Sequence, residues 1–268
     1  MTSVRYEEMF PWEIARAINE APIGYLPLGT LEWHGEHNVV GLDALKAQAI
    51  CVRAAQISGG MVLPPFYWAT DWRKDQPDGS YLTGGIEYGE RYHVPGSMFW
   101  LRPETYLNLL LDVYEAMRRR GMRVIVVLCG HWAEDTLPIV RRSGEMFQEQ
   151  HPEIKWLMFS DLELGSDLGY LHEHAARGET SLMLAIRPEL VRLDLTFETD
   201  KSLRGHYAGM PAHLRRRGET RYKYIGVLTA AADGSNDPEL ASEAWGRVLL
   251  ERIAVRLAER ARYALGGA

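Results

Sequence analysis

Four side chains able to bind metal, Glu32, His34, His37 and Asp43, fall within twelve positions of one another. Carboxylate oxygens and imidazole nitrogens are the donors that hold zinc and similar divalent ions. Glu32 and His34 are two residues apart, so on extended chain they point to one face and can grip one ion or two adjacent ones. Gly35 lets the backbone turn just after them. Asp43 stands at the mouth of a helix indicated by Ala44-Leu-Lys-Ala-Gln-Ala-Ile50, a place equally suited to an ordinary N-cap.

Two further segments carry the same kinds of side chain. In Cys129-Gly-His-Trp-Ala-Glu-Asp135, His131 comes directly after an apolar run, where it can serve as a ligand or cap the next helix. In His172-Glu-His-Ala-Ala-Arg-Gly-Glu-Thr-Ser181, two histidines precede Glu179 at a helix start. Glu179 there is either a ligand or a favourable partner for the helix dipole. His174 suits proton transfer, because an unperturbed imidazole titrates near ~6.5.

These residues need a scaffold, and the pattern of the chain supplies one. Strands are read at Gly24–Leu31, Met61–Phe66, Arg123–Cys129 and Lys155–Ser160. Helices are read at Val4–Asn19, Asp43–Ile57, Arg102–Gly121, Leu137–Gln150, Thr180–Ile186 and Ser242–Leu265. Strands alternating with helices predict one α/β domain over residues 1–268, a three-layer α/β/α architecture with a mostly parallel sheet. In such sheets ligands gather beyond the carboxyl ends of the strands, where the Glu32 and His131 segments fall. Tyr67–Gly96 is irregular, aromatic and too long for a plain connector, so it is expected to carry function or a subunit contact. Leu195–Gly218 is also irregular, and its Arg215–Arg217 run is read as a solvated face or an anion contact.

The 268 residues are 46% apolar and 25% charged, as in ordinary globular proteins. A formal charge of −6 argues against nucleic acid or an anionic membrane as partner. No apolar stretch reaches bilayer length, and the first residues lack a signal-peptide core. Cys51 and Cys129 lie in apolar runs and read as buried free thiols, which predicts a cytoplasmic protein.

Taken together, the three motif segments resemble the creatininase family of metal-dependent amidohydrolases. The first matches its Pro-x-Gly-(Ser/Thr)-x-Glu-x-His-Gly-x-His signature, with Asp43 at the following aspartate. Cys129-Gly130-His131 is similar to its Asn-Gly-His segment, and His174-Ala175 with Glu179-Thr180-Ser181 to its His-Ala-Gly-Glu-x-Glu-Thr-Ser segment. Val94–Ser97 and Asn236–Pro238 are weaker echoes. The resemblance implies two divalent ions, zinc, manganese or iron, held by Glu32, His34, Asp43 and His131, with Asp43 bridging. It implies His174 as the proton-transfer residue with Glu179 nearby, and a homo-oligomer, commonly a hexamer. His37 and Trp132 are expected to contact substrate. The implied reaction is hydrolysis of a C–N amide bond in a small cyclic or formylated substrate by metal-activated water.

The chain departs from the pattern at Ala133, where creatininase proper has a glutamate ligand. Glu179 or Glu134 then supplies the missing ligand, with Glu179 favoured, or the second ion is weakly held. Two other readings share the fold: a metal-dependent lyase or isomerase, and a non-catalytic metal-binding scaffold.

Overall fold

The structure is a computed structural model. It describes residues 3–32, 34–35, 37–70, 100–133, 136–171, 173–198 and 235–266, and the backbone of 74–75 and 81–82. Four parallel strands form the central sheet: β1 (Ile23–Leu28), β2 (Met61–Val62), β5 (Val124–Cys129) and β6 (Lys155–Ser160), in the order β2-β1-β5-β6. Between them in sequence, β3 (Lys74–Asp75) and β4 (Tyr81–Leu82) pair as a small antiparallel ribbon.

Side-chain alternation divides the core into two layers. Tyr25, Val124, Val126 and Leu128 face α2 (Leu42–Ser58) and the last helix, α7 (Glu243–Leu265). Leu26, Leu28, Ile125 and Val127 face α3 (Pro103–Arg119) and α4 (Thr136–Gln150), with α1 (Pro11–Glu20) alongside. The short α5 (Asp161–Gly165) follows β6 directly, and α6 (Arg177–Ile186) packs against α2 and α7. The result is the expected three-layer α/β/α arrangement. β5 is buried along its whole length between its two neighbours, which accounts for its uninterrupted apolar run.

Register sets the site. Leu28 pairs with Cys129, and Cys129 with Ser160, so β1, β5 and β6 end level with one another. The glycines just past β1 and β5 let α2 start directly above those ends. A Cβ on Gly29 would lie 2.2 Å from the Ala44 nitrogen, and one on Gly130 would lie 2.3 Å from the Asp43 carbonyl oxygen.

Four expected boundaries move. The Val4–Asn19 helix is two pieces, a 3₁₀ turn at Tyr6–Glu8 and α1, because Pro11 holds Phe10 extended and starts a new helix. β1 stops at Leu28, and β2 keeps only Met61 and Val62 before Pro64 and Pro65 break the ladder. α6 starts at Arg177, which puts Glu179 inside its first turn. No helix among the described residues is long and apolar enough to cross a membrane.

Candidate metal centre

Asp43 stands one residue inside α2, with Gly41 at the N-cap position, so it is not the cap. Its carboxylate is buried and divides between two histidines. Oδ1 lies 3.2 Å from His34 Nε2, and Oδ2 lies 3.2 Å from His131 Nδ1. His131 Nδ1 is also 3.0 Å from Glu32 Oε2. Glu32 and His34 lie past the end of β1 in a loop pinned by the Glu32 N–H donating to the Val40 carbonyl at 2.9 Å. His34 Nδ1 lies 2.9 Å from the Glu32 carbonyl oxygen. Donation across that contact leaves Nε2 as the nitrogen facing Asp43.

Three sets of donor atoms lie within 4.8 Å of one another: Glu32 with Asp43 and His131; His34 with Asp43 and Glu179; and Glu32 with His34 and His174. The first two share Asp43. The donors are oxygens and nitrogens only, a set suited to zinc or manganese. A neutral imidazole nitrogen facing a carboxylate at 3.2 Å requires a cation or proton between them, so the arrangement fits a divalent ion. His131 Nε2 is also buried and has no hydrogen-bond partner among the described residues.

The electrostatics follow the same logic. Burial opposes charge on His34, but Asp43, Glu179 and Glu32 hold its pKa up at about 9. Burial likewise opposes charge on His131, and Glu32 and Asp43 raise it well above the usual imidazole value. Glu32 and Asp43 are lowered in turn: burial works against both carboxylates, and the surrounding histidines outweigh it. Burial pushes His174 below its ordinary value. Its ring stacks on His34 with centroids 4.5 Å apart, which places an imidazole with a low proton affinity at the edge of the ligand cluster.

A second layer of charge lies behind the cluster, and the sequence reading missed it. Lys46 is fully buried, its ammonium 3.3 Å from Asp161 Oδ2, 3.3 Å from Tyr170 Oη and in contact with Glu179 Oε1. Asp161 accepts from Trp132 Nε1 at 2.6 Å and from Tyr170 Oη at 3.0 Å. Burial raises the Asp161 carboxyl to about 6 against the pull of Lys46. Glu173 accepts from the Glu179 N–H at 2.6 Å and from Asn236 Nδ2 at 2.7 Å. Burial and the nearby Glu179 push Glu173 up to about 8. Asp161 directly follows β6, so the strand-end rule that found His131 also points to it. Lys46 follows Asp43 by three positions, one face of a helix, but a lysine in an alanine-rich helix reads as solvent-facing.

Two expected substrate contacts are committed inward. His37 is buried, its Nε2 2.8 Å from the Ala175 carbonyl oxygen, and burial lowers its pKa to about 4. It therefore braces Ala175, whose φ of 53° is left-handed. Trp132 is half-buried; its indole N–H is taken by Asp161, and its ring lies 4.3 Å from the Lys46 ammonium. Trp100, not expected at the site, lies 5.9 Å from the His131 ring. Glu134, His172, Val94–Ser97 and Arg215–Arg217 lie outside the described residues, as does most of Tyr67–Gly96.

Fold and site together define an α/β protein with a carboxylate–imidazole centre at the ends of parallel strands. The family model described as creatininase, creatinine amidohydrolase, matches residues 7–261, and the chain belongs to that family. It is similar to the creatinine amidohydrolase of Pseudomonas putida, 30% identical over 185 residues covering 63% of this chain and 66% of that protein. It is also similar to the 3-dehydro-scyllo-inosose hydrolase of Thermotoga maritima, 22% identical over 74% of this chain and 61% of that one. The aligned stretches thus span about two thirds of the first relative and somewhat less of the second. A creatininase crystal structure superposes with a TM-score of 0.72 at 22% identity, covering 98% of both chains. A manganese creatininase gives 0.70 at 22% identity over 98% of each chain.

Proposed function

We propose that this chain is a metal-dependent amidohydrolase that cleaves a C–N amide bond of a small cyclic or formylated substrate, using two divalent ions. The observation that carries the reading is the division of Asp43: one oxygen faces His34, the other faces His131, and each side forms its own ligand group. Glu32, Asp43 and His131 would hold one ion; His34, Asp43 and Glu179 would hold the other. Divalent ions so held polarise a substrate carbonyl and make water a nucleophile near neutral pH. His174 takes up a proton and passes it to the leaving nitrogen; its lowered pKa keeps it neutral and ready to accept. His37, through Ala175, sets the backbone that presents His174 and receives Glu179.

The relative from Pseudomonas putida is named for creatinine, a cyclic amide, and supports that substrate class. Ala133 in place of a ligand separates this chain from that enzyme's pattern, so the preferred substrate is another small amide. The described start of the Tyr67–Gly96 segment is tied down by two bonds: Thr136 Oγ1 donates to the Thr70 carbonyl at 2.5 Å, and the Leu101 N–H donates to the Ala69 carbonyl at 2.8 Å. We place that segment over the site of a neighbouring subunit in a homo-oligomer, a hexamer by family resemblance. The buried free thiols Cys51 and Cys129 suit a reducing, cytoplasmic setting.

The deciding experiment is turnover of cyclic amides, formamides and small lactams by protein loaded with Mn²⁺ or Zn²⁺ in oxygen-labelled water. The expected product is an acid carrying one solvent oxygen. Turnover without solvent oxygen would assign a lyase or isomerase, and metal-loaded protein inert to the whole panel would overturn the reading.

A further inference from the structure

We propose that the Lys46 ammonium competes with a divalent ion for the His34–Asp43–Glu179 group, so that the two metal positions around Asp43 bind unequally. The inference rests on the two-ion reading above and adds an order of binding to it: Glu32–Asp43–His131 fills first and holds tightly, while the other position is weak and exchangeable.

The geometry separates the two sides of Asp43. Lys46 lies 3.8 Å from Oδ1, the oxygen that faces His34. The other oxygen faces His131 and Glu32. The same ammonium touches Glu179 Oε1, and Glu179 Oε2 accepts the Ala175 N–H at 2.6 Å. Both Glu179 oxygens therefore already serve a donor. An ion drawing on Glu179 must share an oxygen with a backbone amide or with a fixed positive charge.

Lys46 is not free to swing away. It is fully buried, and an ammonium has three N–H donors. Tyr170 and Glu179 each accept one, Asp161 pairs with the charge at 3.3 Å, and the Trp132 ring lies 4.3 Å from it. A buried ammonium persists only where carboxylates compensate it, and Asp161 and Glu179 do so. A divalent ion a few ångströms from this charge is repelled, whereas among the described residues no lysine or arginine forms an ion pair with Glu32 or with Asp43 Oδ2, the oxygens that face His131. Repulsion of this kind weakens the second position by about a hundredfold relative to the first.

The test is equilibrium dialysis of the full chain against Mn²⁺, with metal counted per chain and the spin coupling of a Mn pair followed by electron paramagnetic resonance. Wild-type protein should bind one ion tightly and show pair coupling only at about a hundredfold higher metal. Lys46→Met should close that gap by about tenfold or more. Because this variant leaves Asp161 facing no cation, the double variant Lys46→Met with Asp161→Asn removes the pair together, and circular dichroism reports its fold. Equal, simultaneous binding of both ions by wild-type protein would overturn the inference without any variant. So would an unchanged gap in either folded variant, and in both cases the two-ion reading would stand. Failure of wild type and variants alike to take a second ion at saturating metal would overturn the two-ion reading, and the inference with it.

Discussion

The two ligand groups around Asp43 are built differently. Glu32, Asp43 and His131 come from the ends of β1 and β5 and the start of α2, which the sheet register and two glycines bring together. The His34 side reaches instead to α6 for Glu179 and shares that carboxylate with a buried lysine. One group is set by the sheet itself. The other depends on a polar network spanning α2, α5, α6 and the chain before α7, through Lys46, Asp161, Tyr170, Glu173 and Asn236. On the two-ion reading, this difference makes the two positions that share Asp43 unequal.

Asp43 belongs to both groups, so Asp43→Ala is the largest expected effect. It should abolish binding of both ions and lower turnover by more than about 10³-fold, as loss of metal-assisted catalysis implies. Metal analysis after dialysis checks this, and a variant retaining a full complement would remove the bridge on which the comparison rests. His174→Gln should lower turnover by about 10² to 10⁴-fold while leaving both ions in place, since the ring stacks on a ligand and its task is a proton. Coincident loss of metal would reassign His174 to the ligand set, which the Glu32–His34–His174 proximity permits. Glu179→Gln keeps shape and removes charge, so it should lower the count towards one ion per chain and leave the Glu32 side intact. Loss of both ions together would show that the groups are not separable.

Much of this centre is legible in the sequence, for a physical reason. Residues just past buried parallel strands must emerge at one edge, so Glu32, His34 and His131 converge whatever the details of the helices. Their types then fix the chemistry. Glu179 was within reach of sequence reasoning, because its place at a helix start suggested a carboxylate directed at the cluster. Lys46 was not. Its burial depends on Asp161 at the start of α5 and Tyr170 from the turn beyond it, 115 and 124 positions away, contacts that no local pattern records. His37 reads as a site residue by composition, yet its nitrogen is used to hold Ala175, a use that depends on where α6 docks. The break at Pro11 is legible too, since a proline holds the residue before it extended and favours the first position of a helix.

The smallest expected effect per step is that of pH, and it bears on both groups at once. His34 is held near about 9 and His131 well above its ordinary value, each by carboxylates that a metal ion would also use. A proton and an ion therefore compete for the same place. Metal affinity should rise with pH up to about 9, by at most about tenfold per unit for each histidine proton displaced. In protein stripped by chelation the sign reverses. A histidine whose folded pKa is raised stabilises fully below its unfolded value of about 6.5, and that contribution is lost as pH climbs through the folded value. Glu173, raised to about 8 chiefly by burial, acts in the same direction, because its ionisation between about 4.5 and 8 costs stability. Stripped protein should therefore melt at lower temperature at pH 9 than at pH 6.5, while metal-loaded protein gains or holds its melting temperature over the same range. Thermal unfolding at the two pH values, with and without Mn²⁺, checks this. Parallel curves for the two forms would mean that protons and metal do not compete at Asp43, and that the imidazoles face something other than an ion.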